Sequence, residues 1–268
     1  MTTGTAATTR NPYALDRGEL RRRLARGEVT FGTFVGAATP ITAEVCAAAG
    51  LDWVLLDLEH GAGGEEQARD VVPAAASYGV PTVVRAESTE RIRAGRLLDL
   101  GAAGIMFPRI DTPDQAAACV RHLRYPPAGD RGVATYNRLC RYGLDSTALD
   151  RSDGDVLGVV QIETLPALEA VEQIAALDGV DVLFVGPRDL SHALDVPGQI
   201  QAPVYLAALE RVLAAAKGNG KAAGLLVPDG AAAARLAAAG WQFLAIGSDT
   251  TLLANAVAAE LRRAGGAP

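Results

Sequence analysis

Three observations lead the sequence to predict a closed, parallel (β/α)8 barrel of the TIM type. Eight short apolar runs alternate with longer Ala-, Leu-, Arg- and Glu-rich stretches at helical spacing. Near-continuous apolar strands separated by helices belong to a parallel sheet covered by helices, and eight is the number that closes such a sheet into a barrel. Ionisable side chains gather at the carboxyl ends of the runs, the rim on which these barrels do their chemistry. At 268 residues and 49% hydrophobic content, the chain holds enough apolar surface for one core.

Residues 1–14 are small and polar, without the apolar stretch of a signal peptide, and are expected to be disordered. A helical stretch at 15–26 precedes the first strand, where it can close the barrel floor, and 15–268 reads as a single barrel domain. Strands are expected at 30–35, 53–58, 82–86, 104–108, 157–162, 182–185, 223–227 and 243–246. Helices are expected at 64–78, 89–100, 114–123, 165–177, 205–217, 231–239 and 250–263. Gly50, Gly79, Gly101, Gly179 and Gly240 stand where a helix hands over to the next strand, the usual place for a left-handed cap. The connection 125–156, containing "RYPPAGDRGVATYNRLCRYG", is irregular; a segment of that length is usually functional or disordered, and its place beyond the fourth unit lets it fold over the barrel mouth. An open, doubly wound sheet is the competing architecture. No glycine-rich G-x-G-x-x-G or P-loop follows any strand, which removes support from its nucleotide-binding forms.

Composition narrows the partners. Net charge is −6 with no clustered basic face, which speaks against nucleic acid. The longest apolar runs are too short to span a bilayer, so no membrane partner is expected. Cys46, Cys119 and Cys140 are widely spaced and give neither a disulfide framework nor a zinc motif, which makes a cytoplasmic location the expectation. Only two lysines, Lys217 and Lys221, stand against 23 arginines, and both are expected on the N-terminal face of the barrel. Schiff-base and pyridoxal-phosphate (PLP) enzymes need a lysine at the reacting centre. No PLP and no Schiff-base lysine are therefore expected. Carbanion or enolate chemistry on this chain must rest on a metal and an arginine.

The rim supplies the candidates. "WVLLDLEHG" ends in Asp57, Glu59 and His60; "PTVVRAE" carries Arg85; "GIMFPRID" ends in Arg109 and Asp111. "GVVQIET" carries Gln161 and Glu163, and "VLFVGPRDLS" leads through Gly186 and Pro187 to Arg188 and Asp189. The first strand ends in "GAATP", whose small side chains leave space. Singly, each has a plain structural reading: Arg85 as an ion-pair partner, Glu163 and Asp189 as caps, His60 as a satisfied rim histidine. Together, the carboxylates of neighbouring strands offer a hard divalent cation a few oxygens and leave positions for water and substrate. Asp57 can orient the His60 ring and raise its basicity. His122 and His192 read as packing and capping residues.

"DWVLLDLEHG", "PTVVRAE", "RYPPAGDRGV", "VVQIET", "GVDVLFVGPRDLS" and "AIGSDTTLLANA" stand in this order over roughly residues 30–262. In them the sequence resembles the HpcH/HpaI aldolase family, the metal-dependent pyruvate aldolases. The resemblance implies that Glu163 and Asp189 hold Mg2+ or Mn2+, with Co2+ as a further option. Pyruvate or another 2-oxo acid would chelate the ion, with Arg85 at the enolate oxygen and Gln161 nearby. Backbone amides around Gly186, Pro187, Arg188 and Asp189 would hold the carboxylate, and His60 paired with Asp57 would move protons. The implied reaction is reversible cleavage of a 4-hydroxy-2-oxo acid into pyruvate and an aldehyde. The implied assembly is a homohexamer, a trimer of dimers that exchanges the helix after Thr250. Oxaloacetate decarboxylation or CoA-thioester cleavage on the same barrel is the alternative, and a non-catalytic keto-acid binder the third reading. Glu59, Arg109 and Arg138, with Asn137, Arg141 and Tyr142, are candidates for the acceptor side. Arg188 stands where the family often carries a small residue. These arginines would select a second carboxylate or form surface ion pairs.

Overall fold

The computed structural model describes residues 15–266, so the segment 1–14, expected to be disordered, lies outside the described residues. In chain order the elements are α1 (Glu19–Ala25), β1 (Thr30–Val35), α2 (Pro40–Ala48), β2 (Trp53–Asp57), α3 (Glu65–Ser77), β3 (Thr82–Arg85) and α4 (Arg91–Asp99). There follow β4 (Gly104–Phe107), α5 (Pro113–Arg121), α6 (Ala148–Asp155), β5 (Leu157–Ile162), α7 (Leu165–Glu169), α8 (Val171–Ala175) and β6 (Val182–Val185). The chain ends with α9 (Pro187–Ala193), α10 (Pro203–Gly218), β7 (Ala222–Val227), α11 (Gly230–Ala239), β8 (Phe243–Ser248) and α12 (Asp249–Arg263). All eight strands pair in sequence order and close into a barrel, with β1 parallel to β8.

Alternation along the strands divides the core in two. Trp53, Leu55, Val83, Met106, Leu157, Val159, Val182, Phe184 and Phe243 form the barrel interior. Val54, Leu56, Val84, Ile105, Val160, Leu183 and Leu244 face the helices instead. A strand puts successive side chains on opposite faces, so parity fixes which residues reach the lumen. The Trp53 indole stacks on Phe243 at 3.8 Å between ring centroids, and its Nε1 donates to Thr30 Oγ1 at 3.1 Å. Gly32 makes room for it, because a Cβ there would lie 2.2 Å from the indole.

Helix α1 closes the floor as expected. Leu20 and Leu24 join the interior cluster, and Arg21 and Arg23 pair with Asp181 (2.9 Å) and Asp52 (2.7 Å), which stand just before β6 and β2. The glycines at the helix-to-strand junctions take positive φ, from 75° at Gly79 to 103° at Gly101. Lys217 donates to the Ala239 carbonyl and Lys221 to the Leu177 carbonyl, both on the floor side.

The helix expected at 165–177 breaks at Ala170 into α7 and α8, and the expectation for the 125–156 connection is overturned. The connection 125–156 lies on the floor side and not over the mouth. It leaves the C-terminal end of α5, is tied to the end of α4 by the Leu139 amide on the Asp99 carbonyl, and runs into α6. Arg131, wholly buried, anchors it through Asp99 at 2.7 Å and Ser152 Oγ at 3.2 Å. A β-to-α turn leads away from the rim and the helix returns the chain to the floor, so an insertion after α5 must emerge there. Arg138 packs beside Gly101 at the α4–β4 junction, on the face opposite the proposed chemistry. Arg138 and its neighbours Asn137, Arg141 and Tyr142 are therefore not acceptor-side groups of their own barrel's mouth.

Candidate active site

The interior rows end in polar residues. Asp57 continues the inward row of Trp53 and Leu55, Arg85 that of Val83, and Gln161 that of Leu157 and Val159. They surround a cleft of about 290 Å3 at the carboxyl ends of the strands, lined among others by Asp57, His60, Arg85, Gln161 and Asp189.

Asp57 and Arg85 are directly paired residues of β2 and β3. Arg85 Nε donates to Asp57 Oδ1 at 2.8 Å and Nη2 to Oδ2 at 2.7 Å, while Nη1 approaches Glu59 Oε2 at 3.1 Å. The guanidinium also lies 5.1 Å from the Phe34 ring centroid. Burial pushes the Asp57 carboxyl up, but the Arg85 guanidinium, with help from the His60 and Glu59 amides, holds it below the usual carboxylate value.

The expected Asp57–His60 ring pair is not formed. Asp57 spends its oxygens on Arg85 and on the backbone amides of Glu59 (3.1 Å) and His60 (3.3 Å). The carboxylate lies inside the barrel wall, whereas the His60 ring projects from the loop with 67% of its side chain exposed. The ring's nearest carboxylate is Glu59, with His60 Nε2 3.9 Å from Oε2. Asp57 thus fixes the backbone from which His60 extends, and not the imidazole.

Glu163, just past β5, is held by two donors. The Arg109 amide donates to Oε1 at 2.7 Å and Gln161 Nε2 donates to Oε2 at 2.9 Å. Gly186 allows the approach, since a Cβ there would sit 2.4 Å from Oε2. Burial pushes the Glu163 carboxyl above its usual value, and the charges of Asp189 and Glu59 add to that against the Arg109 amide and Arg85. Asp189 stands in the first turn of α9 and lines the cleft. Among the described residues no three His, Cys, Asp or Glu side chains form a metal cluster; Glu163 and Asp189 are two carboxylates near enough for the charge of Asp189 to act on Glu163. Gln161 Oε1 is buried without a hydrogen-bond partner. A buried acceptor of this kind calls for a partner. Together with the two carboxylates it makes an oxygen-rich set suited to a hard divalent cation and its waters.

Arg109 enters differently from expectation. Its backbone, at φ 52°, turns the amide onto Glu163, while its side chain is exposed. Arg188 is exposed too, with its guanidinium beside Gly198. Sequence reasoning overlooked Asp249, whose buried carboxylate accepts from the Gly36 amide at 2.9 Å. It also overlooked the Glu59 contact with Arg85. The available signal for Asp249 was its place directly after the last strand, on the chemical rim.

The family model for HpcH/HpaI aldolase/citrate lyase matches residues 30–256. Hydroxypyruvate/pyruvate aldolase of Sagittula stellata is 37% identical over 91% of this chain and 97% of its own length. The 4-hydroxy-2-oxo-heptane-1,7-dioate aldolase of Escherichia coli is 35% identical over 90% of this chain and 93% of its own. The crystal structure of an HpcH/HpaI aldolase/citrate lyase family protein from Burkholderia cenocepacia superposes with a TM-score of 0.89 at 36% identity, covering 93% of this chain and 100% of that one. A match of this breadth, on a closed barrel with a polar cleft at its carboxyl rim, places the chain in the HpcH/HpaI aldolase/citrate lyase family, as an aldolase.

Proposed function

We propose that the cleft cleaves a 4-hydroxy-2-oxo acid reversibly into pyruvate, or a close 2-oxo acid, and an aldehyde. The observation that supports the reading is an anchored guanidinium, Arg85, lining one cleft with Asp189 and Gln161, while the buried Glu163 hydrogen-bonds Gln161 and feels the charges of both Arg85 and Asp189. A divalent ion, Mg2+ or Mn2+ by the chemistry of the donor set, would be held by Glu163 and Asp189 with Gln161 beside it. When bound, it would polarise the keto group and offset the charge that develops there.

The residues divide the remaining work. Arg85, its Nε and Nη2 committed to Asp57, keeps its orientation and turns its remaining N–H toward the keto oxygen as negative charge builds. The amides that open α9, at Arg188 and Asp189, have no partner within the helix and serve the substrate carboxylate. Pro187 has no N–H to offer and sets the helix start instead. In the cleavage direction His60 takes the proton of the C4 hydroxyl. The C3–C4 bond breaks, its electrons pass to the keto acid as an enolate, and the aldehyde departs. A proton returned to C3 gives the methyl group. His60, exposed on the rim, can exchange its proton with water.

Helix α12 leaves Leu253, Val257 and Leu261, four residues apart on one face, 65%, 50% and 48% exposed. An apolar stripe of this kind supports burial against another copy of the chain, and so a homo-oligomer such as a trimer of dimers. No helix among the described residues is long and apolar enough to cross a membrane. The reading is tested by retro-aldol turnover on 4-hydroxy-2-oxo acids with the metal supplied and chelated. Turnover untouched by chelation removes the carboxylate pair from the mechanism.

A further inference from the structure

Asp249 opens α12, and its carboxylate, which accepts from the Thr250 amide of that helix at 2.8 Å, also reaches into the turn after β1. Gly36 N donates to Oδ1 at 2.9 Å, and Ala37 N lies 3.3 Å from both Oδ1 and Oδ2. The turn it holds is strained: Ala38 sits at φ 52° with its side chain buried. A non-glycine residue stays in this region only where its surroundings force it. The same turn reaches the His60 loop, because Ala62 N donates to the Gly36 carbonyl at 2.9 Å. Gly61 packs there so closely that a Cβ would lie 2.1 Å from the Asp57 carbonyl and 3.1 Å from that of Gly36. Gly36 and Thr250 both line the cleft.

We propose that Asp249 is a positioning residue for this site. It fixes the turn 36–38 from the start of α12, and through the Gly36 carbonyl it fixes the loop that presents His60. Its hydrogen bonds go to the Gly36, Ala37 and Thr250 amides and not to the carboxylate pair or Arg85. Its removal should therefore slow proton transfer at His60 while leaving metal binding intact. This rests on the proposed role of His60, and the test separates the two ideas by also reading the backbone directly.

The experiment compares the full-length protein with Asp249→Ala and Asp249→Asn by amide hydrogen exchange, retro-aldol kinetics and Mn2+ titration. Asp249→Ala is expected to speed exchange at Gly36, Ala37 and Ala62 by about 10-fold or more, as local opening becomes easier. Its kcat should fall roughly 10- to 100-fold, the scale of a small misplacement of a reacting group. Its Mn2+ affinity should stay within about two-fold, since the carboxylate pair is untouched. Asp249→Asn keeps one oxygen for Gly36 and is expected to recover most of kcat. A folded Asp249→Ala with native exchange and native kcat overturns the proposal, and so does equal loss of kcat and Mn2+ affinity in both variants. If the alanine variant does not fold, Asp249→Asn decides: faster exchange at Ala37 with Gly36 still protected supports the proposal, and unchanged exchange at Ala37 overturns it. If the native protein turns over no substrate, the function is wrong, and the exchange rates alone still decide on Asp249.

Discussion

Arg85 and Asp57 are register neighbours on β3 and β2, and their side chains meet in a fork, Nε to Oδ1 at 2.8 Å and Nη2 to Oδ2 at 2.7 Å. Both side chains are about nine-tenths buried. The pair is thus held by the barrel wall and by its own geometry. A single point charge cannot reproduce a planar fork, so Arg85→Lys should keep the charge and lose the aim. The expected result is a fall in kcat/KM of about 100- to 1000-fold, or roughly 3–4 kcal/mol, in a protein that still folds. Steady-state kinetics with a circular-dichroism melt check both halves, and near-native turnover would argue against any role for Arg85 at the keto oxygen.

The same pair makes stability depend on pH. The folded carboxyl of Asp57 sits below its usual 3.8, so its contribution is complete above that value and drains away as pH falls through the folded one. Asp57→Asn should cost about 3 kcal/mol at pH 7, at the low end for an opened buried pair because Glu59 still faces Arg85. The variant should lose less than the native protein when urea unfolding is repeated at pH 3. Two parallel losses would show that Asp57 is not the titrating partner.

Gly186 admits the Glu163 carboxylate to within 2.4 Å of where a Cβ would stand. Gly186→Ala should push Glu163 off Gln161 and the Arg109 amide, and weaken Mn2+ binding about 10- to 100-fold, the usual effect of disturbing the partners of a metal ligand. Isothermal titration reads this without reference to activity. Unaltered affinity would mean that Glu163 does not hold the ion.

On α12, Leu253→Glu together with Val257→Glu should reduce the proposed oligomer to smaller species, measured by light scattering after size exclusion. An unchanged mass would leave the exposed stripe without a partner role.

Much of the fold was legible because parallel strands are buried on both faces and so read as continuous apolar runs. That same continuity conceals which residues face inward: in "WVLLD" all five side chains are buried, and only the barrel shows that Trp53, Leu55 and Asp57 share the lumen. Hence the rim residues were legible as a set, while their partners were not. Asp57 looked like the partner of His60 because they lie three positions apart in sequence; pairing across strands joined it to Arg85 instead. Arg109 looked like a side chain for substrate, whereas its backbone does the visible work. Arg138 was misplaced by assigning an insertion after α5 to the mouth when the βα alternation delivers it to the floor. Short helices α2, α6 and α9 were not singled out, although Thr39 capping α2 ahead of Pro40 is a local start signal.

The most direct measurement is exchange of the pyruvate methyl protons for deuterium in D2O, followed by NMR, with Mn2+ or Mg2+ present and after chelation with EDTA. Enolate formation at a guanidinium facing a carboxylate-held ion predicts exchange that is catalysed by the native protein, stops with EDTA, returns with added metal and is nearly lost in Arg85→Lys. Exchange that persists in EDTA, or that Arg85→Lys carries out at the native rate, would contradict it.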